Sequence, residues 1–391
     1  RFMAVLLSAL MVVSLLPVTA FADETENIGN EITMEVTESM GEVQEVATMS
    51  APSADSAEVL ADWNSSYLNE LETKVYNDLA AKIVETVHNG GEMILTISLN
   101  GVSIDNGGET DNDKRLELAK KYIEENIRTT RIYNALICNY PYEMFWYDLM
   151  DRSFGSMGYS ISTVGNTTYI TSITYYMPVY SDYQDKNSEN PKNTLSSSAA
   201  SKGAQAAANA QEIVNANAGK SDMEKLEVYK DAICDLASYD LEAREIIGNP
   251  DHPLFDTFYG DPFQITSVFD RDPETESTSE AYAKAFKYLC DLSDFDSTEC
   301  YYVTGNLIGN GTSGFVPGGE QNWLNFSWNI VKTEGKSYLV DVINSDTGTF
   351  GEPDYVFMKE PARGNMNDGY WFNGANGSEI NYIYSSVFTT D

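Results

Sequence analysis

Apolar residues recur at three- and four-residue steps through Leu68, Leu71, Val75, Leu79, Ile83 and Val87, the spacing of a helix with one buried face. A first folded region therefore opens near Asp62. The pattern changes to alternation over 93–97, a strand, and Asp105-Asn106-Gly107-Gly108 then turns the chain. Helical spacing returns over 116–136 and is broken at Pro141. Alternating runs at 160–164 and 169–178 flank Gly165-Asn166 and predict a hairpin. The polar, turn-rich stretch 182–193 separates this region from a second one. There an Ala/Asn/Gln-rich helix over 196–218 ends at Gly219. Ser221-Asp222-Met223-Glu224 has the spacing of a capping box and opens another helix, with Leu226, Tyr229, Ile233 and Ala237 as its apolar stripe. After the loop-rich stretch 249–276, Ser277 and Glu280 repeat the capping-box spacing and predict a helix start. Tyr282, Ala285, Phe286 and Leu289 would line its buried face. Strands are predicted at 301–304, 326–333, 336–342 and 355–359, with Glu334-Gly335 as a two-residue turn. The class is α+β.

Residues 1–22 read as an export signal: Arg1, an apolar run over 2–18, then Ala20-Phe21-Ala22 at the cleavage positions. The run is short for a membrane span and has no basic flank after it, so no membrane insertion is expected once the signal is cut. Arg1 stands where an initiating methionine would, as expected of a chain cut short at its start. Residues 23–60 form an acidic linker; over 23–58 there is no Lys, Arg or aromatic residue, so too little apolar surface exists to offset the entropy of ordering. The expected organisation is a smaller α+β domain at 61–190 and a second one at 191–391.

Charge narrows the partners. With 24 Lys and Arg against 60 Asp and Glu, the net charge is −36, which opposes nucleic acid or an anionic bilayer as a ligand. No Cys-x-x-Cys pair occurs and the two histidines are His88 and His252, so neither a zinc site nor a cofactor is expected. Asp105, Asn106, Glu109, Asp111 and Asp113 lack the spacing of a calcium loop and read as a solvated acidic turn. Export would permit disulfides, and Cys138, Cys234, Cys290 and Cys300 allow three connectivities. Cys234 and Cys290 also suit buried thiols on apolar helix faces.

Candidate chemistry centres on Ser279 in the first turn of its helix. Backbone N–H groups and the helix dipole converge there and would stabilise a thiolate, but a serine hydroxyl gains little without a base. The Glu334-Gly335 turn sets a register that places Asp341 opposite Trp328, with Phe326 its diagonal neighbour. Thr278-Ser279-Glu280-Ala281-Tyr282-Ala283 resembles the Val-Cys-x-Gly-Tyr-Ala segment of transglutaminase-like domains. Phe326-Ser327-Trp328-Asn329-Ile330-Val331 resembles their His-Ala-Trp-Asn-x-Val strand, and Tyr338-Leu339-Val340-Asp341-Val342 resembles their Tyr-x-Val-Asp-x-Thr strand. The resemblance covers 196–359 and implies a helix bearing the nucleophile position packed on an antiparallel sheet. That family works with a Cys-His-Asp triad, which here becomes Ser279, Phe326 and Asp341. Ala281 also replaces a glycine. Two of the three catalytic parts are therefore missing, since phenylalanine carries no proton.

His252, in Asn249-Pro250-Asp251-His252-Pro253, reads as an exposed loop residue rather than a substitute base, and His88 complements a helix C-terminus. Trp323, Trp328 and Trp371 are candidates for stacking on a ligand; Trp328 fits the core better, whereas Trp323 and Trp371 lie in Gly/Asn-rich loops. The expected function is a secreted or cell-surface, catalytically degenerate module that binds a protein, peptide or cell-wall ligand. Alternatives are an active amide-processing enzyme with an altered site and a structural spacer.

Overall fold

The computed structural model describes residues 32–34, 68–149, 156–247, 251–255, 258–308, 324–346, 356–359, 369–373 and 381–384. The expected signal at 1–22 lies outside them, and so does the linker at 23–60 apart from three residues. Those three are a correction: Ile32–Met34 form strand β1, antiparallel to a later strand at Tyr159, Ser160 and Ile161. An open sheet edge offers unpaired backbone groups, which a segment can join without supplying a core of its own.

Helix α1 (Glu70–Val87) starts on a complete capping box between Asn69 and Glu72 and buries Val75, Leu79, Ile83 and Val87. Strands β2 (Gly91–Glu92), β3 (Ile94–Ser98) and β4 (Ser103–Asp105) follow. The stretch read as one helix over 116–136 is two, α2 (Asn112–Asn126) and α3 (Thr129–Asn139). The break is held from outside. Glu72, 1 % exposed, accepts the Arg128 N–H at 2.9 Å, and the Asn69 side chain donates to the Asn126 carbonyl at 2.8 Å. Tertiary partners thus satisfy the backbone groups that a continuous helix would have paired internally.

Strands β5 (Ser156–Val164) and β6 (Thr167–Tyr176) form the expected hairpin around Gly165-Asn166. The first sheet runs β1-β5-β6-β3, with β4 also on β6, and its pairings are antiparallel. Strand β7 (Thr194–Leu195) pairs with β2 and leads into α4 (Ser197–Ala216), which Ser196 caps. Small residues let α4 approach closely: a Cβ added at Gly203 would lie 2.6 Å from the Phe145 ring. The expected capping box at Ser221 and Glu224 is present and opens α5 (Asp222–Leu236).

Strand β8 (Ser238–Tyr239), α6 (Leu241–Ile247), the short α7 (Ile265–Val268) and β9 (Glu276–Ser277) precede α8 (Ser279–Asp291). The second sheet is built from β10 (Glu299–Ile308), β11 (Leu324–Thr333), β12 (Lys336–Val340), β13 (Gly369–Asn373) and β14 (Asn381–Tyr384). Its order is β12-β11-β10-β13-β14, antiparallel throughout. Helix α8 packs on β10 and β11 and against α4, α5 and α7. The strand expected at 336–342 stops at Val340, and 356–359 touch it by a single bridge, Leu339 with Lys359, rather than as a strand. Buried apolar side chains from Leu68 to Val356 form one contiguous cluster, so a shared core runs through both α+β regions.

Candidate functional site

Helix α8 begins one residue later than the capping-box spacing implied. Thr278 is its N-cap, with no side-chain cap bond, and its N–H donates to the Pro262 carbonyl at 2.8 Å. Ser277, the expected cap, is fully buried and shares a 2.7 Å hydrogen bond with the Ser267 hydroxyl. Glu280 is drawn elsewhere. Its Oε1 accepts from Lys284 Nζ at 2.7 Å and from the Tyr259 hydroxyl at 2.9 Å. The reason is burial: α8 hides every residue from Ala281 to Cys290, not one face only, and Lys284 is 2 % exposed. An ammonium so placed needs an anion and further acceptors. Gln264 Oε1 at 2.9 Å and the Phe263 carbonyl at 3.3 Å supply them. An i,i+4 Glu-Lys pair reads in sequence as a solvated helix face, so this buried network was not legible there.

Ser279 is 6 % exposed at the first position of α8. Its Oγ accepts the backbone N–H of Ser327 at 3.3 Å. The β11–β12 ladder explains why that donor is available. Pairing runs from Thr333 opposite Lys336 to Asn329 opposite Val340, and Ser327 lies two residues beyond its end. The chain leaves the ladder at Asp341, whose N–H turns to the Val356 carbonyl at 2.8 Å. Ser327 also shares a 3.2 Å hydrogen bond between its hydroxyl and that of Tyr302, and Asn329 Nδ2 donates to the Ala283 carbonyl at 2.9 Å. The N-terminal half of α8 is thus fastened to β11 at two levels.

The three positions singled out by the resemblance sit as follows. Ser279 meets β11 through Ser327. Phe326 is 3 % exposed and stands opposite Gly305 in the sheet. Asp341 is 1 % exposed and its carboxylate accepts from Asn344, through the backbone N–H at 3.1 Å and the side-chain amide at 2.6 Å. Its carbonyl accepts from the Ser345 hydroxyl at 2.8 Å. These bonds shape the turn after β12.

Among the described residues, no ionisable side chain is hydrogen-bonded to Ser279 Oγ. Burial, and after it the Glu280 charge, push the Tyr259 and Tyr302 phenols well above their ordinary range, so neither can serve as a base near neutrality. Burial raises the Cys138 thiol to about 12, partly offset by Lys287 and Lys284, which keeps it a thiol. The histidines are engaged elsewhere: His88 Nδ1 lies 3.3 Å from the Tyr142 hydroxyl, and His252 Nδ1 accepts from the Leu254 N–H at 3.2 Å.

Of the aromatic candidates, Trp328 is fully buried, so its ring is core and not the wall of an open groove. Trp371 is placed by its backbone, on β13 between Asn306 and Ile383. Trp323 lies outside the described residues. A surface depression of about 580 Å³ runs along α2, lined by Glu109, Lys114, Glu117, Leu118, Lys121 and Glu124, and includes none of the candidate positions. Among the described residues, no group of three or more His, Cys, Asp or Glu side chains is arranged to hold a metal ion, and no helix is long and apolar enough to cross a membrane. In comparison with known proteins, no family model matches this chain and none of the curated proteins matches it.

Proposed function

We propose that this chain is an exported surface protein built on a degenerate transglutaminase-like scaffold, and that it binds a protein, peptide or cell-wall ligand without processing it. One observation carries the reading: the Ser279 hydroxyl meets a backbone N–H donor and, among the described residues, no base. Acyl transfer by serine needs a group that takes the hydroxyl proton. Further support comes from the arrangement in which the resembling segments fall on a helix, on a strand and, up to Val340, on a second strand, in chain order, with α8 against β11. Phe326 occupies the base position with an apolar ring, and the Asp341 carboxylate is engaged in its own turn.

The discriminating experiment compares amine incorporation and peptide hydrolysis by the natural chain, by Ser279→Ala and by Ser279→Cys combined with Phe326→His. Neither activity is expected in the natural chain, and any regained activity is expected only in the double variant. Turnover by the natural chain that Ser279→Ala abolishes would establish the competing reading, an amide-processing enzyme with an altered site. Binding is read separately, as a saturable change in tryptophan fluorescence on titration with cell-wall glycan fragments or peptides; a flat response to all of them would favour a spacer.

A further inference from the structure

The strands of the first sheet, β1, β3, β4, β5 and β6, hold one charged residue between them, Asp105 at the end of β4. One face of this sheet is core and needs no charge: Leu95, Ile97, Ile161 and Ile170 are buried there, and the Tyr159 hydroxyl donates to the Leu116 carbonyl of α2 at 3.0 Å. The other face is where an antiparallel sheet ordinarily carries its charged side chains. Here it carries hydroxyls. Thr96 stands opposite Thr174, their hydroxyl oxygens 2.8 Å apart, and Thr174 stands opposite Gly158. Ser98, Ser172 and Ser160 form the next row across the sheet, and Ser103, Tyr169 and Ser162 a third. The irregularity between Ser160 and Ile161 gives β6 one extra residue, Thr171, which keeps Tyr169 and Ser172 on the same face. Thr96, Ser98 and Ser103 are exposed, and so is Tyr169, at 39 %.

A second aromatic ring marks the far end of this face. Tyr176, opposite Ile94, is half-buried, and a Cβ added at Gly158 would lie 3.7 Å from its Cε2. The ring therefore lies across the glycine and close to the sheet. Tyr169 and Tyr176 are set about 20 Å apart along β6, with the serine and threonine rows between them.

The lack of charge decides what suits such a surface. A second copy of the chain does not: each carries a net charge of −36, and two sheets packed face to face interdigitate apolar side chains. Protein partners favour surfaces rich in arginine, methionine and aromatic residues and poor in serine. An acidic polymer would be repelled by the chain as a whole. A neutral sugar polymer meets every feature. Its hydroxyls donate to and accept from serine and threonine, and the apolar faces of its rings stack on tyrosine. We propose that the uncharged outer face of the first sheet is a platform for a neutral polysaccharide, with Tyr169 and Tyr176 stacking on sugar rings and the hydroxyl rows bonding the chain between them. The ligand class narrows the binding role proposed above, but the surface lies on a different sheet from the one that meets Ser279 and asks nothing of that residue's chemistry.

The test titrates the full chain, by calorimetry, with hexasaccharides of glucose, mannose or N-acetylglucosamine, and with polygalacturonate as the acidic control. Saturable binding of at least one neutral hexasaccharide and none of polygalacturonate is expected. Tyr169→Ala should weaken that binding by roughly tenfold, while Tyr169→Phe should keep most of it, because the ring and not the hydroxyl does the stacking. Thr96→Glu should abolish it, since the sugar would strip water from an unpaired carboxylate. Both positions are exposed, so the fold should tolerate these changes, and an unchanged thermal midpoint checks that it does. No binding of any neutral hexasaccharide, or binding that Tyr169→Ala and Thr96→Glu both leave intact, would overturn the proposal. So would a dimer, seen by sedimentation, that Thr96→Glu dissociates, since a second copy would then cover the face. Turnover by the Ser279 variants is read separately, so the platform and the inert site can each fail while the other stands.

Discussion

Lys284 illustrates how much of this molecule is decided by single buried groups. Its side chain is 2 % exposed in the middle of α8, yet every donor direction is used, on Glu280, Gln264 and the Phe263 carbonyl. A methionine at this position would keep the length and apolar stem and remove the charge. It would leave the Glu280 carboxylate without its cation and the Gln264 carbonyl without a donor. Breaking a fully buried pair typically costs about 3–5 kcal/mol. Glu280 retains 17 % side-chain exposure, so water screens part of that loss, and Lys284→Met should cost roughly 2–4 kcal/mol. The readout is a lower urea midpoint at unchanged slope. Combining Lys284→Met with Glu280→Gln should restore part of the loss, because the stranded charge is gone. A Lys284→Met chain that unfolds with the natural one would show that the network contributes little.

Among elements, the β11–β12 hairpin offers a change of the opposite sign. Glu334 and Gly335, its two turn residues, have φ of 52° and 76°, the double positive pattern of a type I′ turn. Glycine suits that backbone, whereas a glutamate there is strained, and asparagine visits the left-handed region with less penalty. Glu334→Asn should therefore stabilise the protein by roughly 0.5 kcal/mol or somewhat more, a rise in thermal midpoint of about a degree or two for a chain of this size. An unchanged or lower midpoint would contradict the strain argument. This hairpin was legible in sequence because alternation and turn chemistry are local. The same local signals failed at Ser277 and Glu280, where identical capping-box spacing occurs but burial of Lys284 recruits the glutamate. They failed at Arg128 too, where a carboxylate from α1 captures the N–H that would have continued a helix. The position of Ser279 at the head of α8 could be read from spacing. Its contact with the Ser327 N–H could not, since a backbone donor freed at the end of a ladder leaves no mark in side-chain pattern.

At the scale of the molecule, 60 carboxylates face 24 cationic side chains. Many of the ion pairs present are exposed, such as Lys74 with Asp78 and Lys121 with Glu125, and exposed pairs contribute about 0–1 kcal/mol each. Two effects of added salt then compete. Screening weakens those pairs, and it also weakens the mutual repulsion within a chain of net charge −36. Repulsion acts between all the unpaired carboxylates and is relieved by unfolding, which spreads them apart. It should therefore outweigh the few local attractions. Raising sodium chloride from about 0.01 M, where charges interact over ~30 Å, to about 0.15 M, where they interact over ~8 Å, is expected to raise the thermal midpoint. Sodium chloride suits the measurement better than sulfate, whose exclusion from protein surfaces stabilises folded chains irrespective of their charge. A midpoint that falls with salt would mean that local pairs, rather than net repulsion, govern the surface electrostatics, and that the carboxylates are spaced to tolerate one another.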